Sequence, residues 1–133
     1  MPYRYILANL LAANEGAAAV LFLDDTGETI HLSCSERDPG EMRVLGAYLG
    51  IYLREVERVA ADGGLGEPQL IHVERGGLHV YTKPLPDGYH VALVQRRPAL
   101  VGRARRSLEV AAEELTREVF GRSKPVAEGG GGS

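Results

Sequence analysis

Cysteine is nearly absent from this chain. Cys34 stands alone among 133 residues, so neither an intrachain disulfide nor a cysteine-based zinc cluster can be drawn, which fits a reducing compartment. A basic excess is also missing. Fifteen Lys and Arg against 18 Asp and Glu leave a formal charge of −3, which lacks the surplus that binding a phosphate backbone requires, and nucleic acid is not expected as a partner. Long apolar runs are missing too. None approaches the ~20 residues that span a bilayer, and the apolar stretch after Tyr5 ends at Asn9, too short for a secretory core. A cytoplasmic protein without a membrane span is expected. What remains is ordinary: 44% hydrophobic and 25% charged residues describe an average globular chain of one domain.

Catalytic signatures are absent as well. No phosphate-cradling Gly-x-x-x-x-Gly-Lys-Ser/Thr, no His-Glu-x-x-His and no Gly-x-Ser-x-Gly occurs. His31, His72, His79 and His90 lie in predicted strands without tight ligand spacing, and Asp24-Asp25 sits where a hairpin turn wants aspartate. Cys34 ends a strand with no histidine partner in sequence. No catalytic residue, cofactor or metal is expected, which points to an interaction module rather than an enzyme.

The chain reads as helix, two strands, helix, three strands, helix. Tyr3, Leu7, Leu10 and Leu11 give a short amphipathic helix over 2–13, stopped by Asn14-Glu15-Gly16. Ala17–Leu23 is continuously apolar and Thr29–Cys34 alternates, with Asp24-Asp25-Thr26-Gly27 as the turn between them. A long helix runs from Glu41 to about Asp62, ended by Gly63-Gly64. Strands follow at Pro68–Arg75, Leu78–Lys83 and Tyr89–Gln95, and a final helix from Pro98 carries Val101, Ala104, Leu108, Ala111, Leu115 and Val119 on one stripe. Residues 122–133 are a polar tail, and Gly129–Ser133 have the composition of a linker.

If Gly76-Gly77 is a two-residue turn, Arg75 faces Leu78, Glu74 faces His79, Val73 faces Val80, His72 faces Tyr81 and Ile71 faces Thr82. The unalternating strands 17–23 and 89–95 should be central neighbours, which puts 68–75 at an edge with unpaired backbone groups. Two readings are open there: pairing with its own copy across a two-fold axis, or cover by a loop. The long helix offers two faces. A wheel gives Leu45, Tyr48, Tyr52, Val56 and Val59 as the stripe that covers the sheet, and leaves Gly46, Ala47 and Gly50 on the other side, flanked by Arg43, Arg54, Glu57 and Arg58. Two helix-interior glycines cost about 1 kcal/mol each. A partner helix approaching closely would offset that, and so would a loop of the same chain.

The phrases "AAAVLFLDDTGETIHLS" and "LIHVERGGLHVYTKPLPDGYHVALV", with the long Ala/Gly/Leu-rich helix and the closing "LVGRARRSLEVAAEELTREVF", resemble the roadblock / dynein light chain family, particularly its bacterial MglB-like members. The resemblance spans about residues 3–121. It implies an α+β, profilin-like α/β/α sandwich with a five-stranded antiparallel sheet, in a domain over 1–121. It also implies a homodimer joined through the third strand and second helix, by Leu70, Ile71, His72, Val73, Glu74, Gly46, Ala47 and Gly50. Family members are non-enzymatic regulators or scaffolds of small Ras-like GTPases, which here would rest on Arg43, Arg54, Glu57 and Arg58. The short first helix and the lack of a long C-terminal extension depart from the family pattern. Alternatives are a scaffold with no effect on hydrolysis, and a small-ligand sensor. An arginine finger from Arg96 or Arg97 is a further reading of the end of the fifth strand.

Overall fold

The computed structural model describes residues 2–35, 39–66, 68–96 and 100–121. Helix α1 (Pro2–Ala12) leads into β1 (Ala17–Leu23) and β2 (Thr29–Cys34), then α2 (Pro39–Asp62), β3 (Ile71–Arg75), β4 (Leu78–Pro84), β5 (His90–Arg96) and α3 (Val101–Glu118). The expected element order is borne out. Boundaries move by a few residues: the third strand begins at Ile71 rather than Pro68, and among the described residues the last helix begins at Val101. The polar tail 122–133 and the predicted helix start at Pro98 lie outside the described residues.

All five strands form one antiparallel sheet in the order β2-β1-β5-β4-β3. The continuous apolar strands β1 and β5 do lie side by side at its centre. All seven residues of β1 are buried, as expected for a strand covered on both faces. The β3–β4 register matches the expected one residue for residue, from Ile71 opposite Thr82 to Arg75 opposite Leu78. Gly76 and Gly77 both take positive φ, 59° and 81°, the combination that a two-residue turn of matching twist requires.

Helices cover both faces. On one side α1 and α3 seat Ile6, Leu7, Leu10, Leu108 and Leu115 against Phe22, Tyr81 and Leu93. On the other, α2 seats Met42, Leu49 and Leu53 against Leu21, Leu23 and Val94. The wheel reading of α2 is corrected here. Its buried stripe is Met42, Gly46, Leu49, Gly50, Leu53 and Ala60, about a quarter-turn from the predicted one. Tyr48, Tyr52 and Val59 are exposed. Gly46 lies against Leu21, Leu23 and Thr29, and Gly50 lies against the backbone of Gly27 in the β1–β2 turn. Gly50 thus accommodates a loop of its own chain and Gly46 the side chains of the sheet, and both glycines are buried within the protomer. The error has a physical source: α2 is apolar over more than half its circumference, so hydropathy alone did not choose the inward side.

In α3 the buried positions Ala104, Leu108, Ala111 and Leu115 follow expectation, joined by Ala112 and Thr116. Val119, the C-cap residue, is exposed instead.

Candidate functional site

Helix α2 lies over β1 and β2, so the same face of β3 and β4 is left partly bare. Between them runs an open groove of about 400 Å³, lined by Leu45, Tyr48, Tyr52, Val73, Leu78 and Val80, with almost no polar lining. Its rim is large and apolar: Tyr48 is 68% exposed, Tyr52 48% and Val73 37%. A monomer rarely leaves such side chains contiguous with a sheet edge unless something covers them. β3, the outermost strand here, offers only one edge to β4. Its other edge carries main-chain groups able to take a further strand.

The predicted interface residues divide. Val73 borders the groove, Ile71 packs partly buried beneath α2, and Leu70 packs on the opposite core. His72 and Glu74 are exposed on the face away from the groove, opposite Tyr81 and His79. Ala47 is exposed, but on the flank of α2 that faces the β1–β2 turn. Gly46 and Gly50 are buried, as described above. Sequence reasoning missed Tyr48 and Tyr52 as surface residues by assigning them to the core, whereas Leu45 from the same predicted stripe does pack, partly buried, against it. The available signal was the pair of tyrosines one turn apart, since a tyrosine suits a surface that is apolar on one side and wet on the other.

Of the four charged residues proposed for a partner, the three arginines lie on one flank of α2 and Glu57 turns toward the sheet. Arg43, Ala47, Ile51 and Arg54 border a shallow depression with Thr26, Gly27, Glu28 and Thr29, and Arg54 donates from Nη1 to the Asp25 carbonyl at 3.3 Å. Arg58 is bound to Glu55 at 2.6 Å, with Asp62 at 3.8 Å. Glu57 turns inward to within 3.5 Å of His90 Nε2. Arg43, Arg54 and Arg58 thus share a surface, while Glu57 is engaged with the sheet.

Asp24 acts in the turn. It accepts hydrogen bonds from Thr26 N and Oγ1 and from Glu28 N at 2.7–2.9 Å, and the Thr26 hydroxyl in particular holds its carboxyl below the usual range. Cys34 is half-buried and packs on the α2-side core. Arg96, at the end of β5, is half-buried with its backbone N–H on the Gly16 carbonyl at 2.8 Å. Arg97 lies outside the described residues. No helix is long and apolar enough to cross a membrane among the described residues.

Burial pushes His90 below the ordinary imidazole range, with Glu57 offsetting only part of the effect. Burial also lowers His31, helped by Arg4 and Arg43, and lowers His72, helped by His79. Lowered folded-state values mean that, as pH falls through about 6.5, the unfolded chain takes up protons that the folded one refuses. Stability is therefore full above that pH and is lost below it, until the folded pKa values are reached. The melting temperature should drop between pH 7.5 and 5.5 in scanning calorimetry, and His90→Gln should flatten the drop. A melting temperature that rises on acidification would contradict this assignment.

No protein-family model and no curated protein sequence matches the chain. Solved structures do. Myxococcus xanthus MglB superposes with a TM-score of 0.82 at 15% identity, covering 94% of this chain and 92% of that one. A roadblock/LC7 domain from Streptomyces avermitilis gives 0.79 at 12%, covering 87% and 96%. More distantly, profilin II of Acanthamoeba castellanii gives 0.58 at 14%, covering 86% and 96%, in line with the profilin-like layering expected from the sequence. The strand order, the three helices and these likenesses agree: the fold of this chain is that of the roadblock/LC7 domains, in the form that MglB takes.

Proposed function

We propose that this chain is a homodimeric, non-enzymatic regulator of a small Ras-like GTPase, with residues 1–121 as the interaction domain. One observation carries the reading: an apolar groove rimmed by Tyr48, Tyr52 and Val73 runs beside an edge strand with main-chain groups to spare. A second copy satisfies both needs at once. Two β3 strands related by a two-fold axis would extend the sheet, and each α2 would lay its tyrosines over the seam, because such an interface is complementary to itself. The likeness to MglB supports this arrangement at the level of the fold.

The flank of α2 that carries Arg43, Ile51, Arg54 and Arg58 points away from the groove and would stay open in such a dimer. Its mixture of an exposed aliphatic side chain and arginines suits a protein surface with acidic groups around an apolar centre. Regulation requires more than contact: the chain must bind one nucleotide state of the GTPase more tightly than the other, since equal affinities shift nothing. The test is titration of small Ras-like GTPases loaded with GDP or with a non-hydrolysable GTP analogue, against wild type and Arg54→Glu. Tighter binding to one state, weakened by Arg54→Glu, supports the regulator. Equal affinity for both states would leave a scaffold without effect on hydrolysis.

A further inference from the structure

On the sheet face opposite the groove, β3 and β4 bring two imidazoles together. His72 and His79 are diagonal neighbours across the hairpin, His72 facing Tyr81 and His79 facing Glu74. His72 Nε2 and His79 Nδ1 are 2.9 Å apart, and the rings stack at a centroid distance of 5.1 Å. Beneath them the buried Tyr81 ring stacks on His72 at 4.3 Å and on His79 at 6.0 Å, which limits the orientations both imidazoles can take. His79 is buried, and its other nitrogen, Nε2, lies 3.7 Å from Glu74 Oε2. His72 is exposed, so the pair is reachable from solvent.

A carboxylate beside Nε2 favours the tautomer with its proton there, which leaves the Nδ1 lone pair of His79 directed at His72. That carboxylate–histidine order is the support that a ligating histidine ordinarily has behind it. We infer that His72 and His79 form a two-imidazole chelate for a first-row transition-metal cation, with Glu74 as the positioning residue behind His79. Imidazole nitrogens select zinc, copper and nickel over magnesium or calcium. A tetrahedral zinc with Zn–N bonds of ~2.0–2.1 Å sets two ligating nitrogens about 3.3 Å apart. The nitrogens therefore have to part by only a few tenths of an ångström, with the exposed His72 ring turning so that both lone pairs converge on the ion, while its proton passes from Nε2 to Nδ1 with no change in charge. Among the described residues no group of three or more His, Cys, Asp or Glu converges on a metal position, so the remaining coordination positions fall to water.

The site is formed within one protomer and does not rest on the proposed dimer. Calorimetric titration of the full chain with Zn²⁺ near neutral pH should show one ion bound per protomer. His72→Ala and His79→Gln should each weaken binding at least tenfold, and Glu74→Gln about tenfold, the usual effect of removing such a supporting group. His31→Gln, on the opposite edge strand, should change nothing, and circular dichroism should show each variant folded. With Cu²⁺ as the probe, electron paramagnetic resonance should show coupling to two imidazole nitrogens in wild type and to fewer in His72→Ala. Zinc binding that survives unchanged in both His72→Ala and His79→Gln, or the absence of any saturable heat in wild type, would overturn the assignment.

Discussion

Gly50→Ala is expected to lower the melting temperature by about 6–10 °C, although alanine is the better helix former by roughly 1 kcal/mol. A Cβ on Gly50 would stand 2.5 Å from Gly27 Cα, 3.3 Å from Gly27 N and 3.5 Å from the Thr26 carbonyl oxygen. All three are backbone atoms, so no side-chain rotation relieves the contact. Gly27 itself holds φ at +89° and cannot shift without straining the turn. Helix α2 would have to lift from the sheet, loosening Met42, Leu49 and Leu53, and overpacking of this kind costs about 1–3 kcal/mol after the propensity gain is exceeded. Gly46→Ala should cost less. Its neighbours at 3.0–3.1 Å are the side chains of Thr29, Leu21 and Leu23, which can yield. Gly102→Ala, with nothing within 4 Å, should be neutral or stabilising by up to about 1 kcal/mol. Calorimetry should therefore rank the melting temperatures Gly102→Ala, wild type, Gly46→Ala, Gly50→Ala, from high to low. Gly50→Ala at or above wild type would mean that α2 does not rest on the β1–β2 turn.

Val73→Lys should convert a dimer into a monomer. Light scattering would then fall from about twice to about once the chain mass of 14.4 kDa. Val73 occupies the middle of β3 and the wall of the groove beneath Tyr48 and Tyr52. In a monomer a lysine there reaches solvent, because Val73 is already 37% exposed, so the fold should persist with little change in melting temperature. In the proposed dimer the ammonium would enter an apolar seam without a partner, and such burial costs several kcal/mol, enough to weaken association by more than about a hundredfold. Lysine on an edge strand is also how monomeric proteins discourage strand pairing. Tyr52→Ala should weaken the dimer without adding charge. Ala47→Arg, on the opposite flank of α2, should leave the mass unchanged, and a monomer from that substitution would move the interface to the wrong side of the helix. A monomeric wild type would remove the platform on which the regulator reading stands.

The parts of the fold that were legible in the sequence are those governed by local rules. Gly76-Gly77 between two alternating runs determined the β3–β4 turn and, with it, the whole register, because side chains alternate strictly along a strand. The unalternating runs at Ala17–Leu23 and around Val91–Val94 determined which strands are central, because a strand with two covered faces has no polar side. From those two facts the edge position of β3 followed. The order of helices and strands came from the same periodicities, and the roadblock likeness rested on that order more than on any single residue.

Tertiary structure alone decided which way α2 faces. The sequence offers two apolar stripes on that helix, one of leucines, glycines and a methionine and one of tyrosines and valines, and an isolated wheel favours the bulkier one. In the folded chain the closeness of the β1–β2 turn selects the thinner stripe, since only Gly50 can meet Gly27 backbone to backbone. The tyrosines are then left on the outside, where they border the candidate interface. The diagonal placement of His72 and His79 on one face followed from the hairpin register, whereas their stacking on the Tyr81 ring depends on the burial of that ring in the core. Local chemistry determined the elements, their order and the register of adjacent strands. Which faces meet is a matter of close packing between segments distant in sequence, and a single chain read along its length does not contain those distances.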